Sequence, residues 1–230
     1  MEQTISLSVV VLVFNEEASL ECVIKDLLRV LPGLLDNFEV LIVDDGSRDR
    51  TAELAARLAR EDERVSVCTL PENRGLPAAA KTGYRRARGS HVVWIEGDGQ
   101  FKAEDLGAFL KQAENHNIVA SYRERIGYSW TRRTTSRLYN FLLNRLFDLG
   151  VRDAGSVIMV KKGIVDEAEL LTSGVAINAE LLLRAKRKGH AIGQCPRAFV
   201  ARAAGTSRIF GAREIFRGIA DVWRLYRALA

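Results

Sequence analysis

The feature that most constrains the fold of this chain is the alternation of short apolar segments with amphipathic ones over residues 1–100. Residues 5–14 are apolar and rich in β-branched side chains, which is typical of a strand buried on both faces of a parallel sheet. Residues 17–31 repeat apolar side chains at helical intervals. The alternation continues with a predicted strand at 38–45, helix at 49–60, strand at 65–70, helix at 77–88 and strand at 91–98. It predicts an α/β fold with a mostly parallel sheet flanked by helices.

Length and composition limit the class of protein. The chain has 230 residues, 47% of them hydrophobic, so we expect one large core and a single domain over 1–230. Its three cysteines are far apart and odd in number, which argues against a disulfide framework. No run of roughly 18 apolar residues occurs, and the start lacks the pattern of a signal peptide. The sequence therefore predicts a cytoplasmic protein without a membrane-spanning helix.

Polar side chains follow three of the predicted strands at the point where each strand ends. Asn15 and Glu16 follow the first strand, Asp44 and Asp45 end the second, and 96–100 follow the fourth. Ligands bind at the carboxyl ends of parallel strands, so we expect one acidic rim there. Each group taken alone also fits a local role, with 44–47 as a turn and Asp49 as a helix N-cap.

The residues of this acidic rim indicate which mode of phosphate binding the chain could use. The chain has neither a Gly-x-Gly-x-x-Gly sequence after the first strand nor a Gly-Lys-Ser/Thr loop, so dinucleotide and P-loop binding lose their main support. Glu96 and Asp98, separated only by Gly97, suit a divalent ion that bridges a diphosphate. Nucleic-acid binding is disfavoured, because no recognised module occurs and acidic loops repel phosphate.

These residues resemble family 2 glycosyltransferases of the GT-A fold. Four segments carry the resemblance, in order: FNEE, VDDGSRDRT, NRGLPAAAKTG and EGDGQF. They are similar to the family's Tyr-Asn-Glu segment, its Asp-Asp-x-Ser-x-Asp-x-Thr segment, its Asn-x-Gly loop and its Asp-x-Asp metal motif. The resemblance implies that residues 1–110 form the half that binds the nucleotide sugar.

The resemblance also implies which residues bind the nucleotide sugar, which is the donor of the reaction, and its metal ion. The implied nucleotide-sugar ligands are Val13, Phe14, Asn15, Glu16, Asp45, Lys81 and Gly97. Mg²⁺ or Mn²⁺ is the implied cofactor, with Asp98, Glu96 and Gln100 as the metal residues. Glu96 stands where the family has its first Asp, which makes Asp98 the firmer metal ligand and a catalytic residue.

Residues 111–210 most resemble dolichol-phosphate mannose synthases and their bacterial polyprenyl-phosphate relatives. The resemblance runs through the segments 121–123, 130–136, 200–202 and 205–208 and through Asp153. It implies that the acceptor phosphate is bound by Arg123, Arg132, Ser136 and Arg202, with Arg123, Arg202 and Asp153 in catalytic roles. The implied reaction is inverting transfer of a hexose, from a donor such as GDP-mannose or UDP-glucose, to a polyprenyl phosphate. Such an acceptor is already ionised and needs arginines rather than a strong base.

Two alternatives remain at this point. A transferase with a soluble or saccharide hydroxyl acceptor would share the donor site but need a carboxylate base, for which Asp153 or Glu180 is available. A nucleotidyltransferase also uses acidic metal sites, but it usually needs a glycine-rich, lysine-containing loop near the N terminus, which VFNEEASLE does not supply.

The last segment, 211–230, predicts an amphipathic helix. Its apolar face is predicted to hold Ile215, Ile219, Val222, Tyr226 and Leu229, with Arg213, Arg217, Asp221 and Arg224 elsewhere. Packing on the domain is the default, and the alternative is that Trp223, Tyr226 and the arginines lie at an anionic membrane surface. The chain would then be a peripheral protein of the cytoplasmic membrane face.

Overall fold

The structure is a computed structural model that describes residues 5–123, 130–172 and 176–198, with 220, 221, 223–225 and 227 near the C terminus. Of residues 130–133 and 135 it describes the backbone.

Strands and helices alternate as the sequence predicts. The strands are β1 (Leu7–Val13), β2 (Phe38–Asp44), β3 (Val65–Thr69), β4 (His91–Glu96), β5 (Ile118–Arg123), β6 (Ile158–Lys161) and β7 (Ile192–Arg197). The helices are α1 (Leu20–Val30), α2 (Thr51–Glu61), α3 (Leu76–Arg86), α4 (Leu106–Ala113), α5 (Trp130–Phe147), α6 (Lys162–Asp166) and α7 (Ile177–Arg187).

The strands form one seven-stranded sheet in the order β3-β2-β1-β4-β6-β5-β7. The pairs β1/β2, β1/β4, β2/β3 and β5/β7 are parallel, whereas β6 runs antiparallel to both of its neighbours, β4 and β5. The predicted α/β fold with a mostly parallel sheet is confirmed. The carboxyl ends of all strands except β6 therefore face one rim.

Both faces of the sheet are covered by helices, because alternate residues of the buried strands point to opposite sides. In β1, Val9 and Val11 pack in a core with side chains of α1, α2 and α4. Val10 and Leu12 pack on the other face with side chains of α3, α5 and α7. The rim loops are thus held by a three-layer scaffold that is buried on both sides of its central strand.

The predicted C-terminal helix differs from expectation at one residue. Each described position between 220 and 227 is helical. Asp221 was predicted to lie away from the buried face, and this is wrong, because it is 3% exposed and lies one helical turn from the fully buried Leu225. Trp223 is 60% exposed, and the predicted apolar positions Ile215, Ile219, Val222, Tyr226 and Leu229 lie outside the described residues.

No helix among the described residues is both long enough and apolar enough to cross a bilayer. Cys22 is exposed and Cys68 and Cys195 are buried, and all three are free thiols. Burial, followed by the charge of Asp105, raises the pKa of the Cys195 thiol to about 12.

Candidate active site

The polar segments predicted to share a rim do so, because β1 pairs in parallel with both β2 and β4. The loops after β1 and β2 also bind each other. The Asn15 amide donates to Ser47 Oγ at 2.9 Å, and the Arg48 amide donates to Asn15 Oδ1 at 2.8 Å. Asn15 takes a positive φ of 55°, a conformation that Asn tolerates better than most residues. The FNEE segment is therefore held in a fixed turn over the end of β2.

Of the local roles considered for the aspartates after β2, the turn at Asp44 is confirmed, whereas the N-cap of α2 is Arg50 and not Asp49. Asp44 Oδ1 accepts hydrogen bonds from the Ser47 amide at 3.0 Å and from Ser47 Oγ at 2.5 Å, which closes the turn. Asp49 Oδ1 accepts from the Thr51 amide at 3.0 Å at the start of α2. Asp44 and Asp49 therefore stabilise the backbone between β2 and α2, and Asp45, between them, reaches the next loop with its side chain.

Asp45 joins two of the motifs that carry the family resemblance. Its carboxylate is buried and accepts hydrogen bonds from the amides of Arg74 at 2.9 Å and Gly75 at 2.7 Å. Burial raises the pKa of Asp45, the two amides oppose that change, and the charge of Asp44 adds to it, so the pKa lies above its ordinary value. Asp45 therefore fixes the loop before α3 against the end of β2.

A cavity of about 440 Å³ opens between the loops after β2 and β3. It is lined by Asp44, Gly46, Ser47, Arg48, Ala52, Thr69, Leu70, Pro71, Glu72 and Asn73. Its walls come from the two segments that Asp45 connects, so it lies at the part of the rim where the resemblance predicts donor binding.

Glu96 ends β4, and Gly97 and Asp98 follow it. Gly97 is packed so closely that a Cβ would lie 2.4 Å from Val13 Cγ1, which explains why a glycine separates the two carboxylates. The Gly97 amide donates to Leu12 O at 2.9 Å, and Gly97 O accepts from Ser19 Oγ at 2.7 Å. Asp98 is 3% exposed, and its Oδ1 accepts from the Gln100 amide at 3.0 Å.

The carboxylates of Glu96 and Asp98 are suited to bind a metal ion that arrives together with a phosphate-containing substrate. Among the residues that the structure describes, no group of three or more His, Cys, Asp or Glu side chains is arranged to hold an ion by itself. Mg²⁺ is commonly bound by one or two carboxylates together with substrate phosphates, rather than by an all-protein cage. Glu96 and Asp98, on either side of Gly97, meet that description.

Lys81 lies on α3, and its Nζ donates to Leu170 O at 2.8 Å. This bond ties α3 to the segment that leads into α7. The predicted role of Lys81 in donor binding stays a prediction.

Among the predicted acceptor residues, Arg123 lies beyond β6 from the loops after β1, β2 and β4. Arg123 ends β5, and its Nε donates to Asp153 Oδ2 at 3.1 Å, with both side chains largely buried. Ser136 is half-buried on α5, and its Oγ accepts a hydrogen bond of 3.4 Å from Asn140 Nδ2. Arg132 lies on the same helix with an undescribed side chain, and Arg202 lies outside the described residues.

Glu180, considered as a base, has a structural role. Its carboxylate is fully buried and accepts from the Leu171 amide, the amide and hydroxyl of Thr172, and Arg184 Nε, at 2.8–2.9 Å. Burial raises the pKa of Glu180, but these hydrogen bonds outweigh it and hold the pKa below its ordinary value. Glu180 therefore anchors the segment before α7 and does not face the rim as an available base.

Comparison with known proteins decides the family. Residues 8–166 match the family described as "Glycosyl transferase family 2". The chain belongs to this family. The match begins in β1 and ends with α6, so it contains every motif of the donor side and also Arg123, Arg132, Ser136 and Asp153.

The relatives by sequence include two proteins named undecaprenyl-phosphate 4-deoxy-4-formamido-L-arabinose transferase. The one from Pseudomonas paraeruginosa (strain DSM 24068 / PA7) is 34% identical over 165 residues, which cover 71% of this chain and 49% of the relative. The one from Pseudomonas aeruginosa (strain LESB58) is 35% identical over 166 residues, with the same coverage of 71% and 49%. The chain thus spans about half the length of these relatives.

Solved structures share the fold. Glucosyl-3-phosphoglycerate synthase from Mycobacterium tuberculosis, in complex with Mn²⁺, UDP-glucose and phosphoglyceric acid, has a TM-score of 0.77 at 20% identity, covering 97% of this chain and 80% of that one. Mannosyl-3-phosphoglycerate synthase from Rubrobacter xylanophilus has a TM-score of 0.76 at 17% identity, covering 97% and 74%. The GT-A fold expected from the motifs is confirmed.

Two residues at the rim were missed by the sequence interpretation. Ser19 reaches the loop after β4 although it lies 78 positions before Gly97. Arg197 ends β7 directly beside Arg123, and its guanidinium carbon lies 5.5 Å above the ring of Phe101. Ser19 resembles an ordinary helix cap in the sequence, and nothing around Arg197 forms a motif, so only the sheet order brings either to the rim.

Proposed function

We propose that this chain catalyses the inverting, metal-dependent transfer of a hexose from a nucleotide diphosphate sugar to a polyprenyl phosphate. The observation that carries the choice of acceptor is that both candidate bases are already engaged. Asp153 is the partner of Arg123, and Glu180 is saturated by donors of the segment before α7 and by Arg184. A hydroxyl acceptor needs a base within reach, whereas a lipid phosphate arrives ionised.

On the donor side, the hydrogen-bonded turns after β1 and β2 would bind the nucleotide sugar. Asn15, Glu16 and Asp45 lie where the nucleoside is expected, and the cavity beside Asp44 offers room on the same side. Asp98 and Glu96 would hold a divalent ion together with the diphosphate, which would supply charge neutralisation of the leaving group. The chain itself orients the diphosphate and keeps its carboxylates in place before the substrate arrives.

On the acceptor side, Arg123 supplies positive charge at the end of β5, and Asp153 holds the guanidinium in position. An arginine presents several donors in a planar fork, which suits a phosphate. The names of the curated relatives, which specify undecaprenyl phosphate, support the same acceptor class. The Mn²⁺ and UDP-glucose bound to the structural neighbour support the donor class.

A polyprenyl substrate requires access to a membrane, and α5 supports a peripheral contact. This helix exposes large apolar side chains, with Leu138 at 57%, Phe141 at 63% and Leu146 at 45%. Exposed arginines, Arg137 and Arg145, lie on the same helix. Apolar side chains flanked by basic ones suit an anionic bilayer surface. We therefore place the membrane contact on α5 as well as on the C-terminal segment with Trp223.

The experiment that tests the function is nucleotide diphosphate release from a panel of GDP- and UDP-sugars, with Mg²⁺ or Mn²⁺, and with or without undecaprenyl phosphate. We expect metal-dependent release that rises with the lipid phosphate and falls at least a hundredfold in Asp98→Ala, by roughly the range seen when a transition-state charge contact is removed. Asp148→Asn, which changes an exposed carboxylate paired with Lys186, is the matched control and is expected to match the wild type.

The same assay separates the alternatives. If the chain binds a sugar nucleotide but undecaprenyl phosphate does not increase nucleotide diphosphate release, the proposal of a lipid acceptor is overturned and a soluble acceptor is favoured. Absence of binding to every sugar nucleotide would overturn the donor site itself.

A further inference from the structure

Ser19 occupies the N-cap position of α1 without acting as a cap. A serine at this position normally accepts a hydrogen bond from an amide of the first helical turn. Ser19 has φ −113° and ψ −30°, and its side chain makes no such bond within the described first turn of α1. The hydroxyl is instead directed across the rim, so the usual local contribution of the residue is replaced by a long-range contact.

That contact is made with the predicted metal loop. Ser19 Oγ lies 2.7 Å from Gly97 O and is buried with it. The peptide unit that contains Gly97 O also contains the Asp98 nitrogen, and it is planar. A hydrogen bond to this carbonyl therefore restricts the rotation that sets the direction of the Asp98 side chain.

The opposite side of Gly97 is fixed as well. Its amide donates to Leu12 O at 2.9 Å, and its Cα packs against Val13. These contacts restrain the Gly97 nitrogen, but they do not orient the following peptide. Ser19 restrains the carbonyl side through its hydrogen bond to Gly97 O.

The same hydroxyl also contacts the donor motif after β1. Ser19 Oγ lies 3.0 Å from Glu16 Oε2, but a hydroxyl has only one proton to donate. Gly97 O and the Glu16 carboxylate therefore compete for it. Ser19 thus links a residue expected to bind the nucleoside with the residues expected to bind the metal.

We propose that Ser19 is a positioning residue that holds the Gly97–Asp98 peptide in the orientation needed for a divalent ion. This inference rests on the proposed function, because it concerns the donor site assigned there. Partners that orient metal ligands typically contribute a factor of 10 to 100 in metal affinity. Loss of the Ser19 hydroxyl is accordingly expected to weaken metal binding roughly tenfold.

The test measures Mn²⁺ affinity directly, by electron paramagnetic resonance, for the full chain with UDP or GDP present. Ser19→Ala is expected to weaken Mn²⁺ binding roughly tenfold, and Ser19→Thr, which keeps the hydroxyl, is expected to recover most of the affinity. The matched control is Ser90→Ala. Ser90 Oγ bonds to Ser6 O, which joins the beginnings of β4 and β1 at the edge of the sheet opposite the rim, so its loss is expected to lower thermal stability but not Mn²⁺ affinity.

Unchanged Mn²⁺ affinity in Ser19→Ala would overturn the inference, as would an equal loss in Ser90→Ala, because the effect would then follow from stability. In either case, loss of Mn²⁺ binding in Asp98→Ala would show that the proposed donor site still stands. If Mn²⁺ does not bind the wild type with either nucleotide, both proposals fail.

Discussion

The contact between Arg123 and Asp153 bears on which of two roles Asp153 has in the proposed reaction. An aspartate near an acceptor can act as a base, or it can hold an arginine that binds the acceptor. The hydrogen bond of 3.1 Å from Arg123 Nε to Asp153 Oδ2 favours the second role. Because sequence shows only residue types, both roles were equally compatible with Asp153 before its partner was placed.

A prediction follows for Asp153→Asn. The amide oxygen still accepts from Arg123 but carries no charge, so the guanidinium is held less firmly, and we expect KM for the polyprenyl phosphate to rise by about tenfold. The shape of the pH–rate profile is expected to stay the same. A catalytic base would behave differently, with kcat falling by roughly 10² to 10⁴ and the acidic limb of the profile disappearing. Steady-state kinetics between pH 5 and 9 distinguishes the two results.

At the scale of elements, the sequence predicted the strands and helices that a local residue pattern determines. The strand–helix alternation from β1 to β4 was predicted because buried strands and amphipathic helices leave a periodic trace in the residues. The reversed direction of β6 was not, since Ile158–Lys161 is only four residues long and periodicity carries no information about strand direction. The sequence predicted that three loops converge at the rim. It could not predict the hydrogen bond from Ser19 to Gly97, because that bond depends on how closely two elements pack.

Helix α5 provides a prediction about membrane contact. The variant Leu138→Gln/Phe141→Gln/Leu146→Gln is expected to bind anionic liposomes at least tenfold more weakly, because each apolar side chain gains about 1.5–3 kcal/mol on burial. Thermal stability is expected to change little, since these side chains are exposed in the folded chain. Liposome sedimentation at low salt measures the effect.

Leu34→Gln is the control, because Leu34 is also exposed but lies beside Gly107 of α4, on the other side of the sheet. Equal liposome binding by the triple variant and the wild type would rule out α5 as the membrane contact.

Glu180 gives a prediction about pH. Its pKa is depressed in the folded state, so the ionised carboxylate stabilises the fold fully above the unfolded pKa of about 4.3, and this contribution is lost as pH falls through the lower folded pKa. Glu180→Gln is expected to lower the free energy of unfolding by about 1–3 kcal/mol at pH 7, with a smaller difference from wild type below pH of about 4.

Urea unfolding across this pH range measures the difference. Glu53→Gln serves as the comparison, since Glu53 is an exposed glutamate on α2. A difference between Glu180→Gln and wild type that does not change with pH would contradict the assignment.

At the scale of the whole molecule, the family match and the sheet end at different places. The family match stops at residue 166. Two elements of the fold lie beyond that point. Helix α7 contributes the buried Leu181 and Leu182 to the core, and β7 pairs with β5 through residues 192–197. We expect a fragment of residues 1–170 to lack a cooperative urea transition, because β5 would lose a neighbour and the core would lose a helix. Circular dichroism during urea titration tests this. A sharp transition in the fragment would show that the matched region folds alone.

The reversed strand β6 separates two groups of loops at the rim. It separates the carboxyl ends of β4 and β5 by two strand spacings, about 10 Å. Because β6 arrives at the rim by its amino end, the loop before it, which carries Asp153, reaches the rim between the ends of β4 and β5. On the proposed function, an insertion or exchange in that loop is expected to alter which acceptor enters while the loops after β1, β2 and β4 keep their contacts, so acceptor preference is free to diversify without loss of sugar-nucleotide recognition.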